Sequence, residues 1–214
     1  MVIDPRASDG RVPGRRGRET RERLLAETAT LLEKTSYRDL RVAEIARAAG
    51  TSPATFYQYF GEVEEAVLEL AQQMAANAKD LTTLIHDSSW RGKEATATVD
   101  SLVDGFFDLW ERHRAILRVV DLATAEGDLR FQNIRTHLLN EVTLGLCDVI
   151  ERFREQGRHP KDLEPMAHAA ALVSMLAHVA AHRYGFEFWG IKIDGIRRST
   201  ARIAFEAITG RRSP

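Results

Sequence analysis

Residues 51 to 59 concentrate hydroxyl, amide and small side chains in one short stretch. A hydroxyl group can donate a hydrogen bond to a phosphate oxygen, and the amide of Gln58 can pair with two edge atoms of adenine at once. Thr51 and Ala54 are small enough to approach a base edge or a thymine methyl group. The full set is Thr51, Ser52, Pro53, Ala54, Thr55, Tyr57, Gln58 and Tyr59. Together these side chains suit contact with a nucleic acid.

Two histidines, His178 and His182, are the side chains best placed for metal chemistry. They stand four residues apart in a segment predicted to be helical, so both rings fall on one face. No carboxylate follows one turn away on that face, and His168 lies too far along the helix to complete a ligand set. We therefore predict no metal site and expect the pair in a pocket or an interface.

Other catalytic patterns are missing from the sequence. It contains no phosphate-binding loop, no cofactor fingerprint and no order of Ser, His and Asp that could be justified as a triad. We predict no enzymatic activity and no cofactor. A metal-dependent helical enzyme using the two histidines is the remote alternative.

An apolar periodicity of three and four residues predicts two helices ahead of residue 51. The first spans about residues 19 to 34, and the second is short and stops at Gly50, which can adopt the left-handed conformation that ends a helix. The two apolar faces consist of Leu24, Leu25, Thr28, Leu31 and Leu32, and of Val42, Ile45, Ala46 and Ala49.

A third helix is predicted to begin at Ser52, whose hydroxyl can accept a hydrogen bond from a free backbone N–H. Pro53 then occupies the first helical position, where its missing N–H costs nothing. Phe56 and Phe60 lie one turn apart and are expected to pack in the core. Two short helices joined by a three-residue turn are typical of the DNA-binding helix-turn-helix, whose second helix enters the major groove.

The charge of the chain is unevenly distributed. Its net charge is −1, but residues 1 to 60 carry 11 Lys and Arg against 8 Asp and Glu, whereas the remainder carries 19 against 23. Residues 1 to 18 are rich in Gly, Pro and Arg and are predicted to form a flexible basic arm. Within this arm Arg15, Arg16 and Arg18 are expected to follow the phosphate backbone or enter the minor groove.

The composition bounds the class of protein. A chain of 214 residues with 44% hydrophobic and 29% charged residues is ordinary for a globular protein. No apolar run approaches the roughly 18 residues of a membrane helix, and the first residues lack the features of a secretion signal. We expect a cytoplasmic protein without a membrane partner. Cys147 is the single cysteine, so an internal disulfide is excluded.

The segment from about residue 20 to 60 resembles the TetR family of repressors. The residues that carry the resemblance are Leu24-Leu25, Leu31-Leu32, Tyr37, Ile45-Ala46, Ala49-Gly50, Ser52 to Tyr57, and Tyr59-Phe60. The resemblance implies that Ser52, Thr55, Tyr57 and Tyr59 contact phosphate or sugar, and that Thr51, Pro53, Ala54 and Gln58 lie near base edges. Among these, Gln58 is the best candidate for reading a base.

Three positions depart from the family pattern. Arg41 stands where the family usually carries a Thr or Ser that caps the second helix, and it can reach a phosphate instead. Ser36 replaces a common Gly, at a cost of about 1 kcal/mol if its backbone is left-handed. The acidic run of residues 61 to 65 replaces a Lys that often touches phosphate, so that contact is expected to be missing.

We predict an all-α protein of about nine helices, with a DNA-binding domain at residues 19 to 61 and an effector-binding and dimerisation domain at 62 to 214. The later helices are expected near residues 62–86, 92–112, 114–122, 129–156, 163–186 and 194–209. In the resembled family the last two helices form a two-fold dimer interface, so a homodimer on a roughly palindromic DNA operator is expected. Candidate interface residues are Leu172, Leu176, Val179, Ile196, Thr200 and Ile203.

The resemblance also implies a cavity in which a small molecule shifts the spacing of the two DNA-reading helices. The candidates for lining it are Phe106, Trp110, Leu138 and Met175, although for the aromatic residues core packing is an equal alternative. We expect an apolar or amphipathic effector that releases a repressor from its operator. The alternative is a DNA-binding regulator that answers to a protein partner or to no effector.

Overall fold

The computed structural model describes residues 14 to 77 and 80 to 212. Within these ranges the chain is helical and has no β-strand, which confirms the predicted all-α class. The elements are α1 (Arg15–Leu32), a 3-10 helix (Tyr37–Asp39), α2 (Val42–Ala48), α3 (Pro53–Tyr59), α4 (Val63–Asn77), α5 (Asp80–Asp87), α6 (Gly92–Arg112), α7 (Arg114–Ala125), α8 (Leu129–Glu155), α9 (Pro165–Glu187) and α10 (Ile193–Thr209). No helix of the described ranges is long and apolar enough to cross a membrane.

The first of two compact units comprises, among the described residues, 14 to 76 together with 113 to 135. Helices α1 to α4, α7 and the start of α8 share one core, because three short helices alone offer too little apolar surface to bury one another. Its buried members are Leu24, Leu25, Leu32, Leu40, Ile45, Ala49, Phe56, Phe60, Ala66, Val67, Leu70, Ala71, Ala115, Val119, Val120, Ala123, Phe131 and Ile134. This unit therefore extends beyond the end predicted at residue 61.

The second unit comprises the described residues from 77 to 112 and from 136 to 212. Helix α6 packs against α5, α9 and α10. A close approach between α5 and α6 depends on Gly105, since a Cβ placed there would lie 2.5 Å from Cδ2 of Leu81. Glycine at this position lets the Leu81 side chain rest directly on the backbone of α6.

The structure differs from two predictions about the local backbone. The segment predicted as one helix over 62–86 is described as α4 and α5, on either side of residues 78 and 79, which lie outside the described residues. Ser36 has a φ of −60°, and no described residue other than glycine has a positive φ. The backbone cost considered for Ser36 therefore does not arise.

Most of the residues predicted for a dimer interface are buried inside the second unit. Four of the six belong to its own core, namely Leu172, Leu176, Ile196 and Thr200. Helices α6, α9 and α10 pack against one another, and these four side chains are buried within the single chain. Their assignment to a dimer interface stays a prediction. Val179 is half-buried, and Ile203 is 54% exposed. The apolar faces of α9 and α10 are thus used mainly to pack helices of a single chain against one another.

Candidate nucleic-acid interface

The turn between α2 and α3 is held by its own backbone. The N–H of Gly50 donates to the carbonyl of Arg47 at 3.1 Å, and the N–H of Thr51 donates to the carbonyl of Ala46 at 2.9 Å. Gly50 has a φ of 65°, a conformation that glycine adopts without steric cost. This is the Schellman arrangement, and it ends α2 and turns the chain into α3.

Helix α3 begins as the sequence predicts, with Ser52 at the N-cap and Pro53 at the first helical position. The backbone N–H of Thr55 donates to Oγ of Ser52 at 3.2 Å, and the hydroxyls of Ser52 and Thr55 lie 3.0 Å apart. Such a cap contributes about 1 kcal/mol, which is substantial for a helix of two turns. Local chemistry therefore defines where α3 starts.

The inner face of α3 anchors the helix in the first unit. Phe56 and Phe60 are both buried, and their ring centroids lie 5.4 Å apart. Burying one such side chain contributes about 1.5–3 kcal/mol, so the pair holds α3 firmly against the core. Because the inner face is packed, the outer face is presented in one orientation.

The outer face of α3 brings together the polar residues that the sequence singled out. Those exposed to solvent are Ser52, Pro53, Ala54, Tyr57 and Gln58, and those half-buried are Thr51, Thr55 and Tyr59. Tyr59 packs against the core, whereas Tyr57 is 52% exposed. Of the two tyrosines, Tyr57 therefore offers more surface to a bound molecule.

Two exposed arginines lie at the ends of α2, the helix that packs against α3. Arg41 occupies the N-cap of α2 in extended conformation and makes no capping hydrogen bond, as its side chain predicts. Arg47, in the last turn, is also exposed and was missed by the sequence analysis, although it falls outside the apolar face of α2. In the described part of the chain neither forms an ion pair, whereas Arg38 is paired with Glu126. Arg41 and Arg47 thus supply the positive charge beside α3.

The arginines of the predicted arm have a different structure from the one expected. Helix α1 begins at Arg15, so Arg15, Arg16 and Arg18 are helical, and the prediction of a flexible arm is wrong for them. Arginine is a good helix former, and Arg15 donates to Oε1 of Glu19 one turn later at 3.0 Å. All three are exposed. Residues 1 to 13 of the predicted arm lie outside the described residues.

The acidic residues after Phe60 have structural partners. The carboxylate of Glu65 accepts from the backbone N–H of Gly61 at 2.7 Å, which satisfies a free donor at the start of α4. Glu64 accepts a hydrogen bond from the Tyr37 hydroxyl. Burial, and then Glu64, raises the pKa of Tyr37 well above its ordinary value. These two carboxylates stabilise the first unit by accepting hydrogen bonds within it.

A buried ion pair joins α1 to α4 within the first unit. The guanidinium of Arg21 donates through both terminal nitrogens to the carboxylate of Glu69, and only 11% and 8% of the two side chains are exposed. Gln73 also donates to Oε1 of Glu69 at 3.1 Å, and Arg21 lies over the ring of Phe60 at 5.1 Å. Residues 48 positions apart give no periodic signal, so the sequence analysis missed this pair.

The four predicted ligand residues all lie in the second unit. Phe106, Trp110 and Leu138 are buried, and Met175 is half-buried. The rings of Phe106 and Trp110 stack with centroids 5.9 Å apart. Nε1 of Trp110 is buried and finds no hydrogen-bond partner among the described residues. A buried indole N–H without a partner costs free energy that a bound polar group would recover.

His178 and His182 stack on each other with ring centroids 4.2 Å apart. Nδ1 of His182 lies 3.1 Å from the carbonyl oxygen of His178, and the backbone of α9 departs from helical geometry at His182. The described residues contain no group of three or more His, Cys, Asp or Glu side chains that could hold a metal ion. The two histidines therefore lack further ligands in the described structure.

Two protein-family models match consecutive parts of the chain. The model for bacterial regulatory proteins of the tetR family matches residues 24–70. The model for the tetracyclin repressor-like C-terminal domain matches residues 81–214, which is more than half of the chain. The two matches together span the helix-turn-helix and almost all of the helices that follow it.

The chain is also similar in sequence to individual transcriptional regulators. The chain is 27% identical over 150 residues to the HTH-type transcriptional regulator EthR of Mycobacterium tuberculosis. The matched segment covers 70% of this chain and 68% of EthR. It is also 22% identical over 178 residues to the HTH-type transcriptional regulator YdgC of Bacillus subtilis. That matched segment covers 83% of this chain and 86% of YdgC.

Solved structures show the same fold. The fatty acid degradation regulator FadR of Bacillus halodurans matches with a TM-score of 0.64 and 14% identity over 87% of this chain and 94% of its own. FadR of Bacillus subtilis, solved in complex with stearoyl-CoA, matches with a TM-score of 0.63 and 13% identity over 89% and 98%. The capped and anchored α3 and both family models lead to one conclusion: the chain belongs to the TetR family of DNA-binding transcriptional regulators.

Proposed function

We propose that this protein is a homodimeric repressor that reads a roughly palindromic double-stranded DNA operator and releases it when a small apolar or amphipathic molecule binds. The structure of α3 supports the DNA-reading part of this proposal. Phe56 and Phe60 fix the inner face of this helix, and its outer face is polar and exposed. A rigidly held polar helix face is what readout of the major groove requires. This function places the protein in the cytoplasm, with the DNA.

In this proposal Gln58 reads a base edge, with Thr51, Pro53 and Ala54 close beside it. The remaining contacts go to the sugar-phosphate backbone and fix the register of α3 on the duplex. The side chains assigned to them are Arg15, Arg16, Arg18, Arg41, Ser52, Thr55, Tyr57 and Tyr59.

The DNA-reading role is tested by selecting binding duplexes from a random-sequence pool and titrating a selected duplex by fluorescence anisotropy. We expect Gln58→Ala to lose about 1–3 kcal/mol of discrimination at one base pair of each half-site. Tyr57→Phe removes one hydroxyl and should weaken binding to all duplexes about fivefold. Gln132→Ala, at an exposed position of α8, is the matched control and should bind as the parent does.

Two results would contradict these assignments. Unchanged base preference in Gln58→Ala would remove it as the base reader, and unchanged affinity in Tyr57→Phe would remove its phosphate contact. Selected duplexes without two related half-sites would contradict the palindromic operator.

The dimer contact is proposed for the exposed face of α9 and α10. Ile203 and Met166 are exposed apolar residues there, and α9 adds the exposed small residues Ala167, Ala170, Ala171 and Ser174. Small side chains let helices of two protomers approach closely. In analytical ultracentrifugation, Ile203→Glu should shift the protein towards monomer, whereas the control Leu129→Glu, at an exposed leucine of α8, should leave the dimer intact. A dimer in Ile203→Glu as stable as the parent would overturn this placement.

The effector is proposed to bind beside Phe106, Trp110, Leu138 and Met175. The partnerless indole N–H of Trp110 supports a ligand with a polar group at this point of an apolar site. The complex of Bacillus subtilis FadR with stearoyl-CoA makes amphipathic molecules the first class to screen. For any molecule that releases the operator duplex, Trp110→Phe should raise the concentration needed about tenfold, while Trp189→Phe, at an exposed position, should not. Equal responses of the two variants would exclude Trp110 from the site.

A further inference from the structure

A cavity in the second unit lies apart from the residues proposed for the effector. It is partly open, has a volume of about 730 Å³, and is lined by segments from three places in the chain. These are the connection from α5 to α6, the end of α8 and the end of α10. None of Phe106, Trp110, Leu138 and Met175 lines it. Its volume falls in the range of about 300–1,000 Å³ that is usual for sites of small organic ligands.

Among the described residues, four arginines and no carboxylate line this cavity. Arg91 precedes α6, Arg152 and Arg158 come from the end of α8, and Arg211 follows α10. None of the four pairs with an acidic side chain of the described residues. In contrast, Nη2 of the neighbouring Arg154 lies 2.7 Å from Oε1 of Glu151. The chain as a whole has a net charge of −1, so the four arginines of this cavity form a local surplus of positive charge.

The end of α8 is built so that Arg158 turns back over the cavity wall. The N–H of Gly157 donates to the carbonyl of Arg154 at 2.9 Å, and the N–H of Arg158 donates to that of Phe153 at 3.0 Å. Gly157 has a φ of 72°, which completes the same kind of helix end as the one before α3. As a result the guanidinium of Arg158 lies 4.5 Å from the centre of the Phe153 ring.

A second glycine brings Arg211 to the same place. Gly210 ends α10 with a φ of 65°, and a Cβ at this position would lie 2.2 Å from the carbonyl oxygen of Arg158. Only glycine therefore allows the two helix ends to approach so closely. Nε2 of His159 lies 3.0 Å from the carbonyl oxygen of Ile208 and joins the same two segments.

This arrangement opposes like charges. Burial, and then the charge of Arg211, lowers the pKa of Arg158. The negative ends of α8 and α10 offset part of the repulsion, but four arginines still line one cavity with no described acidic side chain among the lining residues. An anion bound among them would remove the repulsion and accept charge-assisted hydrogen bonds.

The cavity also has an apolar wall. Trp90, Phe153 and Phe205 line it and are buried. Trp90 is fixed by its indole N–H, which donates to the carbonyl of Ile85 at 3.1 Å, and the Thr98 hydroxyl donates to the carbonyl of Ser89 at 3.1 Å. The wall is therefore ordered, and it can contact the flat or aliphatic part of a ligand.

We infer that this cavity binds an organic anion, in which a phosphate or carboxylate group meets Arg152, Arg158 and Arg211 and an apolar body lies against Trp90 and Phe205. The site is separate from the effector residues proposed above, and its occupancy does not depend on DNA binding or on repression. Arginine suits both anionic groups because its planar donors match two oxygens at once.

The proposal is tested by isothermal titration calorimetry of the full-length protein with 1-naphthyl phosphate. We expect saturable binding of about one molecule per chain, and at least about tenfold weaker binding of uncharged 1-naphthol, since the charge-assisted hydrogen bonds are lost. A parallel titration with 1-naphthoate distinguishes a phosphate site from a carboxylate site: a clear preference for either anion identifies the group that the arginines recognise.

Substitutions assign the binding to this cavity. Arg152→Gln combined with Arg211→Gln changes two exposed side chains and should weaken 1-naphthyl phosphate binding at least about tenfold. Arg202→Gln, at an exposed arginine of α10 outside the cavity, is the matched control and should bind as the parent does. Failure of both anions to bind at about 1 mM, or equal affinity in the double variant with an unchanged melting temperature, would overturn the proposal.

Discussion

Replacing Glu69 by Gln should destabilise the first unit by about 3 kcal/mol, because it leaves the charge of Arg21 buried and unpaired. The substitution keeps the size of the side chain and a carbonyl oxygen that can still accept from Gln73, at 3.1 Å in the parent. It removes the negative charge that two terminal nitrogens of Arg21 contact. The perturbation is therefore almost purely electrostatic.

The magnitude follows from the burial of the pair. Only 11% of the Arg21 side chain and 8% of the Glu69 side chain are exposed, so water cannot replace the lost carboxylate. Removing one partner of such a pair costs about 3–5 kcal/mol. The ring of Phe60, 5.1 Å from the guanidinium, retains part of the attraction, which places the expected cost near the lower end. A cost of about 3 kcal/mol corresponds to a more than hundredfold larger unfolding constant.

A double variant separates charge from packing. Arg21→Met combined with Glu69→Leu removes both charges and keeps apolar volume, so its stability should lie within about 1 kcal/mol of the parent. The double variant should therefore be more stable than Glu69→Gln, although it carries one more substitution. A simple loss of contacts predicts the opposite order.

The assay is native-state hydrogen exchange, read by mass spectrometry on peptides from α1 and α4. Exchange resolves the first unit from the second, and peptides from α9 serve as the internal control. The reasoning would be refuted by a cost below about 1 kcal/mol for Glu69→Gln in these peptides, or by a double variant less stable than the single one.

Substitutions at three further positions probe the site and its surroundings. Gly50→Ala should cost about 1–2 kcal/mol in urea denaturation, because φ is 65° while the space around the α-carbon is open; an unchanged midpoint would contradict this. Ser52→Ala should cost about 1 kcal/mol, and Ser52→Asp should restore the cap but weaken DNA binding in anisotropy titrations through its negative charge; an affinity of the Ser52→Asp variant equal to that of the parent would exclude a nearby phosphate. In the folded state the pKa of Tyr37 is raised above its unfolded value of about 10, so its stabilisation is complete below that pH and is lost as pH rises through the folded pKa. Alkaline absorbance titration should show one late-ionising tyrosine that Tyr37→Phe removes, and a parent titration without it would contradict the assignment.

Much of the α2–α3 region could be predicted from sequence because its signals are local. Gly50, Ser52 and Pro53 act within one turn of helix, and the structure has each of them in the predicted role. Phe56 and Phe60 follow from helical spacing alone. Even the residues beyond the apolar faces of the short helices, such as Arg47, could have been found by asking which side chains face outward.

Helical periodicity was not enough to interpret two other parts of the chain. Leu172 and Ile196 read as interface residues because an apolar helix face gives the same pattern whether its own chain or a second protomer covers it. Arg15 was predicted to lie in an arm because a Gly-containing, Arg-rich stretch has no apolar period, yet it forms the first turn of α1.

The amino-acid sequence by itself determined the helical class, the helix-turn-helix and the polar face of α3, since each depends on interactions between residues a few positions apart. Only the tertiary structure decided that Arg21 pairs with Glu69 across 48 positions, and that Gly210 lets Arg211 join Arg158 at one cavity. Such contacts depend on how helices pack in three dimensions, and helical periodicity records which face is apolar without recording what that face meets.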